Sequence, residues 1–307
     1  MGWDYMMNFS TQPLDNHKGV HMRLVKMHGL GNDFILIDTD ETRRIPSFEE
    51  FARFACDRHF GVGADGIILI LPSETADIRM RIFNSDGSEA EMCGNGIRCL
   101  AKYVYERGMV PDPVFTVETG AGIMVPEIIL DNEKIKSIRV DMGQPHLIGT
   151  EIPVDIHKEK VIHEPIEAEG KIFHFTAVSM GNPHAVIFEI PDQWQGYGEA
   201  IEKHPLFPRK TNVEFVRCHS RKEAEVKVWE RGAGPTLACG TGACAVLVAG
   251  VLNERLEPKA HIHLPGGTLI IEWSKDDNHV YMEGPAQEVF SANLSEEVIQ
   301  QWKLHPA

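Results

Sequence analysis

The sequence predicts an α/β chain of mixed α+β type, made of two pseudo-symmetric copies of one strand-rich unit with a cleft between them. Three observations predict it. One cysteine setting occurs twice, in Met92-Cys-Gly-Asn-Gly and in Ala238-Cys-Gly-Thr-Gly. At the same offset of 146, Phe83 falls on Trp229 and Asn84 on Glu230; at an offset of 150, Gly31-Asn32-Asp33-Phe34 falls on Gly181-Asn182-Pro183-His184. Each cysteine is followed by an apolar helical pattern, and most of what remains in each half reads as short strands. Duplication accounts for all three. It also sets one thiol on each side of the cleft, which suits a reaction needing an acid on one face of a carbon and a base on the other, as racemisation does.

In the first half, β-rich or alternating runs fall at residues 22–28, 34–38, 67–71, 78–83, 114–118 and 135–141. Pro46-Ser47 opens a helix in which Phe48, Phe51, Phe54 and Ala55 recur at helical spacing, and Gly61 stops it. From Asn95, the positions Ile97, Leu100, Ala101, Val104 and Tyr105 mark a second helix, ended by Gly108 and Pro111. Cys93 therefore sits at a helix N-terminus. The second half repeats the scheme, with strands near 171–178, 185–190, 213–218 and 225–229 and a helix over 242–253. That helix is apolar nearly all round, so it should be buried on every side as a core helix wrapped by sheet. Pro265-Gly266-Gly267 turns between runs 261–264 and 268–273, a hairpin. The expected division is an N-terminal extension at 1–21, one domain of 22–137 plus 285–307, and a second of 138–284, with the crossing near 136–144.

With 307 residues the chain can give each half its own core. Thirty basic against forty-five acidic residues leave a formal charge of -15, which disfavours nucleic acid and anionic membrane as partners. No run has the length of a membrane span, and residues 1–21 lack a signal-peptide pattern, so a cytoplasmic location is expected.

An unperturbed cysteine has a pKa of roughly 8.5, so only a few per cent is thiolate near neutrality. Lowering it by about 1.5 units requires about 2 kcal/mol of differential stabilisation. A helix N-terminus supplies roughly 0.3 to 2 kcal/mol, and a nearby protonated group could add the rest. By motif position, His184 and Glu230 are the candidates for tuning the thiols. The glycines beside each cysteine leave bare helix-terminal amides that could hold an α-carboxylate. Blander roles compete. Cys56, Cys99, Cys218 and Cys244 read as small apolar core residues. His184 could be a solvated loop residue, Glu230 and Arg231 an exposed ion pair, and Asn32, Asn182 and Asn212 turn residues. The spacings Cys93/Cys99 and Cys239/Cys244 point to different helix faces, against a zinc knuckle.

Six segments in order carry a family resemblance: His28-Gly-Leu-Gly-Asn-Asp-Phe, Phe83-Asn-Ser-Asp-Gly, Met92-Cys-Gly-Asn-Gly-Ile-Arg-Cys, Gly181-Asn-Pro-His, Thr211-Asn-Val-Glu-Phe, and Trp229-Glu-Arg-Gly-Ala-Gly-Pro-Thr-Leu-Ala-Cys-Gly-Thr-Gly. From Met22 to about Phe290 the chain resembles the diaminopimelate epimerases, pyridoxal-independent isomerases of lysine and peptidoglycan precursor synthesis. The resemblance implies that each half is a curved, mainly antiparallel sheet around a central helix, with the C-terminal strand returning to the first domain. It implies Cys93 and Cys239 as the catalytic acid and base. Asn32, Asn84, Asn182, Asn212 and Arg231 would hold the far end of the substrate. Gly94, Asn95, Gly240 and Thr241 would present amides to the reacting carboxylate. His184 and Glu230 would adjust the thiols, Glu230 also belonging to the substrate-binding set. It further implies no cofactor (no pyridoxal phosphate, metal or nucleotide), a small-molecule substrate, and a homodimer. Gly66 stands where some members have Gln, and Phe290 where some use a Tyr in dimer contacts. Two other readings stay open: a proline or hydroxyproline racemase, or phenazine-type isomerase, on the same fold, and a thiol redox or metal-binding protein whose cysteines pair.

Overall fold

The computed structural model describes residues 22–304. The expected extension at 1–21 lies outside the described residues. Strands β1 (Met22–Gly29), β2 (Asn32–Ile37), β3 (Gly66–Leu71), β4 (Ile78–Asn84), β5 (Glu89–Ala90), β6 (Val117–Thr119) and β7 (Gly122–Met124) belong to a first sheet. A second, 11-stranded sheet holds β8 (Glu127–Asp131), β9 (Lys134–Asp141), β10 (Glu164–Ala168), β11 (Lys171–Ser179), β12 (Pro183–Ile187), β13 (Asn212–Ser220), β14 (Glu223–Glu230), β15 (Gly234–Thr236), β16 (Lys259–Leu264), β17 (Gly267–Trp273) and β18 (Val280–Gly284). The chain then returns, β19 (Gln287–Leu294) pairing antiparallel with β1 as the eighth strand of the first sheet.

The duplication extends to the hydrogen bonding. Most neighbours are antiparallel, but β2 with β3 and β4 with β6 are parallel, and so are β12 with β13 and β14 with β16. Parallel neighbours need a crossover, and a helix fills each one. α1 (Thr39–Thr42) and α2 (Phe48–Cys56) span β2 to β3, and α3 (Gly94–Glu106) spans β4 to β6. In the second half α4 (Trp194–Glu202) and α5 (Gly240–Leu252) do the same. Phe34 pairs with Gly66 as His184 pairs with Asn212, and Leu36 with Ile68 as Val186 with Glu214.

Local chemistry sets the helix ends. Ser47 accepts from the Glu50 amide at 3.2 Å, so Ser47-x-x-Glu50 caps α2 and puts acidic side chains in its first turn. Gly61 turns the chain so close beneath α2 that a Cβ there would lie 2.1 Å from the Phe54 carbonyl oxygen. The α5 run from Gly242 to Gly250 is buried throughout, as its all-round apolar sequence predicts. α3 buries Ile97, Leu100, Ala101 and Val104 against the first sheet's inner face.

The expected division at 137/138 falls inside β9. The hydrogen-bonded sheet changes between Met124 and Glu127, whereas Ile128, Ile138 and Val140 pack in one cluster with α3. The hairpin β8–β9 thus bonds to one half and buries its side chains on the other. The segment after Gly284 sits on the first half: α6 (Glu296–Leu304) sets Trp302 edge-on to Phe51 at 5.0 Å.

Candidate active site

A cleft of about 1200 Å³ opens between the halves, with Cys93 and Cys239 both in its wall. Each cysteine is the N-cap of its helix, in extended backbone conformation (φ -143° and -121°), and neither side chain caps its own turn. The first intrahelical bonds are Ile97 N to Cys93 O, 2.9 Å, and Ala243 N to Cys239 O, 3.0 Å. The amides before them therefore have no helical partner and face the cleft end of each dipole. The two turns meet over one side chain of β18. A Cβ at Gly94 would lie 2.8 Å from Met282 Cε, and one at Gly240 3.0 Å from Met282 Sδ. Glycine at both positions is what lets the helix ends approach so closely.

Cys93 faces amides and a cation. Its Sγ lies 3.7 Å from Asn32 Oδ1, which also accepts from Asn95 Nδ2 at 3.0 Å. Asn95 Oδ1 accepts in turn from Arg98 Nη2 at 2.9 Å. Arg98 is fully buried, and its other donors reach the carbonyls of Gly94 and Pro285. Asn32 is itself held from behind, its Nδ2 donating to Asp65 Oδ2 at 2.8 Å. Burial pushes the Cys93 thiol up from its ordinary value; the Gly96 and Asn95 amides and Arg98 pull the other way, and Glu230 adds to the rise.

Cys239 faces carboxylates. Burial, then Glu230 and Glu214, push its thiol well above the usual value, opposed by Thr241 and the Gly242 amide. Its Sγ lies 3.6 Å from Thr241 Oγ1. Glu230 accepts from the Thr236 hydroxyl, and burial raises its carboxyl despite that bond and the nearby His184. His184 and Glu214 form a fully buried pair, Nδ1 to Oε1 2.7 Å, while Nε2 faces Asn182 Oδ1 at 3.0 Å. Both thiols are thus raised from their ordinary value, with the helix-terminal amides acting in the opposite sense. Desolvation outweighs the dipoles.

Asn32, Asn84, Cys93, Gly94, Asn95, Asn182, Glu230, Cys239, Gly240 and Thr241 all line the cleft. His184 lies behind Asn182, out of solvent rather than in a solvated loop. Asn212 and Arg231 meet each other instead of the cleft. Asn212 Oδ1 accepts from the Arg231 amide at 2.9 Å and Nδ2 donates to the Pro183 carbonyl at 3.0 Å, while Arg231 Nη1 reaches the Arg209 carbonyl. At Gly66 a Cβ would meet the Phe83 carbonyl oxygen at 2.6 Å. Burial raises the thiols of Cys56, Cys99 and Cys244 to about 12, in keeping with core packing. Sequence reasoning missed Arg98, Asp65, Thr236 and Glu214. Glu214 carried a signal, a charge set between the apolar residues Val213 and Phe215-Val216.

No helix among the described residues is long and apolar enough to cross a membrane. The solved structures it resembles share its fold: a phenazine biosynthesis protein from Bacillus anthracis (TM-score 0.65, 16% identity, 90% of this chain and 99% of that one) and a hydroxyproline epimerase from Agrobacterium vitis (TM-score 0.64, 15% identity, 90% and 92%). Curated relatives are far nearer in sequence. The diaminopimelate epimerase of Desulfitobacterium hafniense is 54% identical over 284 residues, 91% of this chain and 100% of that protein. That of Methanococcus maripaludis is 51% identical over 278 residues, 89% and 99%. The diaminopimelate epimerase family profile matches residues 24–148 and 176–289, one block in each half, and the chain belongs to that family.

Proposed function

We propose that the protein interconverts LL-2,6-diaminopimelate and meso-2,6-diaminopimelate, an isomerase step of lysine and peptidoglycan precursor synthesis. The observation that carries the reading is the matched pair of N-cap cysteines whose following glycines meet over Met282, in a chain 54% identical to a curated diaminopimelate epimerase. The substrate α-carbon sits between the sulfurs with its carboxylate against the helix-terminal amides of Gly94, Asn95, Gly240 and Thr241, where two helix N-termini stabilise negative charge. One cysteine, as thiolate, takes the α-proton. The electron pair left on carbon spreads into the carboxylate, and the other cysteine, as thiol, delivers a proton to the opposite face. Configuration inverts, and the thiolate has changed places. No pyridoxal phosphate, metal or nucleotide enters the step.

Asn32, Asn84 and Asn182 line the same cleft and supply polar groups for the distal amino and carboxylate ends. Asn212 and Arg231 join them when substrate orders that wall. Closure of the halves excludes water and strengthens these contacts. The protein works as a cytoplasmic homodimer through the edge of the first sheet. There β19 has one side unpaired among the described residues, with Val289 and Phe290 54% and 42% exposed. The proline-type reading has only the shared fold in its favour.

Proton NMR of the reduced protein with LL-diaminopimelate in heavy water tests the function, with L-proline and L-lysine as controls. Loss of the α-proton signal with appearance of meso product, for diaminopimelate alone, is the expected result. Exchange of proline instead would move the assignment to the racemases.

A further inference from the structure

The two repeats are not equivalent where they touch the thiols. Glu214 occupies the position that Ile68 holds in the first half, as their matching registers in β13 and β3 show. His184 likewise stands where Phe34 stands. The glycine three residues after each cysteine reports what lies beneath. A Cβ at Gly96 would meet Ile68 Cδ1 and Ile82 Cδ1, both at 3.2 Å, so the floor under Cys93 is hydrocarbon. A Cβ at Gly242 would meet Glu214 Oε1 at 2.7 Å and Cys239 Sγ at 3.2 Å, so the floor under Cys239 is a carboxylate.

Glu214 is also incompletely paired. Oε1 bonds to His184, while Oε2 is buried with no hydrogen-bond partner among the described residues. Leaving such an oxygen unsatisfied is costly, and groups of this kind call for an explanation. Both His184 ring nitrogens face oxygens, Nδ1 towards Glu214 Oε1 and Nε2 towards Asn182 Oδ1, so the ring is held in place beside Glu214. Around Cys239 the titratable groups are Glu214 from β13, Glu230 from the end of β14 and, behind Glu214, His184 from β12. Around Cys93 they are Arg98 from α3 and, across the cleft, Glu230. Glu230 acts on both thiols. Glu214 raises Cys239, with its Oε1 beneath the turn that follows that residue, whereas Arg98 favours the anion at Cys93.

We infer that Glu214 is a positioning residue of the reaction: it makes the repeats electrostatically unequal, so that before substrate binds Cys239 keeps its proton and Cys93 is the member that ionises. This rests on the two-cysteine reading above. It follows that each cycle in one direction leaves the proton on Cys93 and the charge on Cys239, the less favoured arrangement. The proton must return to Cys239 before the next turnover in that direction. Substrate of the opposite hand binds the minor form, so its apparent affinity falls by that form's fraction.

The test is alkylation of the reduced protein with iodoacetamide across a pH series, each cysteine followed by peptide mass spectrometry. The pH midpoint is the readout, because limited access slows alkylation without moving its midpoint. In wild type Cys93 should show a midpoint at least one unit below that of Cys239, about a tenfold difference in ionised fraction. In Glu214→Gln the Cys239 midpoint should fall by at least one unit while that of Cys93 holds; Glu214→Asp should restore most of the gap. Equal midpoints in wild type, a lower one at Cys239, or equal movement of both in Glu214→Gln would overturn the inference. A wild-type gap that is absent or reversed overturns the inference even if neither variant folds. Absence of α-proton exchange with diaminopimelate in the same preparation would instead remove the two-cysteine reading.

Discussion

The Asn95 side chain donates to the main-chain carbonyl of Ala238 across 3.4 Å, tying the first turn behind one thiol to the residue just before the other. The same amide group reaches Asn32 Oδ1, and Asn95 Oδ1 accepts from buried Arg98. Asn95 is therefore the joint of a chain running from Arg98 to Cys93. Asn95→Ala strands a guanidinium donor and the Asn32 oxygen that faces the sulfur. Unsatisfied buried groups cost about 1 to 3 kcal/mol each. The expected outcome is a loss of stability in that range by urea unfolding, with at least a tenfold lower kcat. Unchanged kcat at wild-type stability would show that the joint does not matter.

Alanine at either cysteine should abolish inversion. A positioned acid or base contributes roughly 10² to 10⁴ in rate, and removing one leaves no proton source or acceptor on that face. Steady-state assay of Cys93→Ala and Cys239→Ala should each show a loss of at least about a hundredfold. Stability should change little at Cys93, whose side chain is half-buried. A single variant turning over at wild-type rate would sink the two-base mechanism.

Much of this was readable from the chain because duplication leaves repeated letters. The offsets of 146 and 150 matched Cys93 to Cys239 and Asn32 to Asn182; the structure has the two cysteines as equivalent helix N-caps, and Phe34 and His184, two residues after the asparagines, at equivalent registers. The apolar helix after Cys239 declared its own burial. What stayed hidden was long-range pairing. Nothing local in residues 127–141 says that β8 and β9 bond to the second sheet while packing on α3. Glu214 stands in the Thr211-Asn-Val-Glu-Phe segment, but its meaning lies in the contrast with Ile68, and its burial appears only once β13 is wrapped on α5. Arg98 was passed over for a similar reason: its partners Gly94 and Pro285 lie 4 and 187 residues away.

Arg231 offers a separation of binding from folding. Its side chain is exposed and holds only the Arg209 carbonyl, although its amide is fixed by Asn212. Exposed substitutions of this kind usually change stability by less than about 0.5 kcal/mol. Arg231→Ala should raise KM for diaminopimelate at least tenfold, leaving the unfolding midpoint in place. Unaltered KM would mean that Arg231 does not turn toward the distal carboxylate.

The halves are also latched at the rim of the cleft. Leu30, at φ 57°, and Gly31, at φ 88°, form the two-residue turn between β1 and β2, and Leu30 buries its side chain in the second half's core. A two-residue hairpin turn with both φ values positive fits the twist of its strands. Opposite it, a Cβ at Gly266 would lie 1.9 Å from the Leu30 carbonyl oxygen. Backbone must move to admit it, so Gly266→Ala should cost roughly 1 to 3 kcal/mol and separate the loops. Limited proteolysis and calorimetry would read both effects; a wild-type unfolding profile would show that the latch is slack.

Asp33 supplies an acid-sensitive brace behind Asn32. It pairs with Lys26 and, at 2.9 Å, with Arg58, which also holds Asp65 at 2.8 Å, the residue that orients the Asn32 amide. Burial opposes the charge on Asp33, but bonds from Arg58 and Lys26 outweigh it and hold its carboxyl at about 2, below the usual 3.8. A carboxyl depressed in the folded state stabilises it above the unfolded value and stops doing so as pH falls through the folded one. The contribution is therefore complete above about pH 4, erodes between about 4 and 2, and amounts to about 2 kcal/mol. Asp33→Asn should be less stable than wild type by about that much at pH 7. The gap should narrow at pH 3 and nearly close at pH 2, measured by urea unfolding at each pH. A gap that stays constant down to pH 2 would mean that Asp33 contributes through packing or neutral hydrogen bonds rather than through its charge.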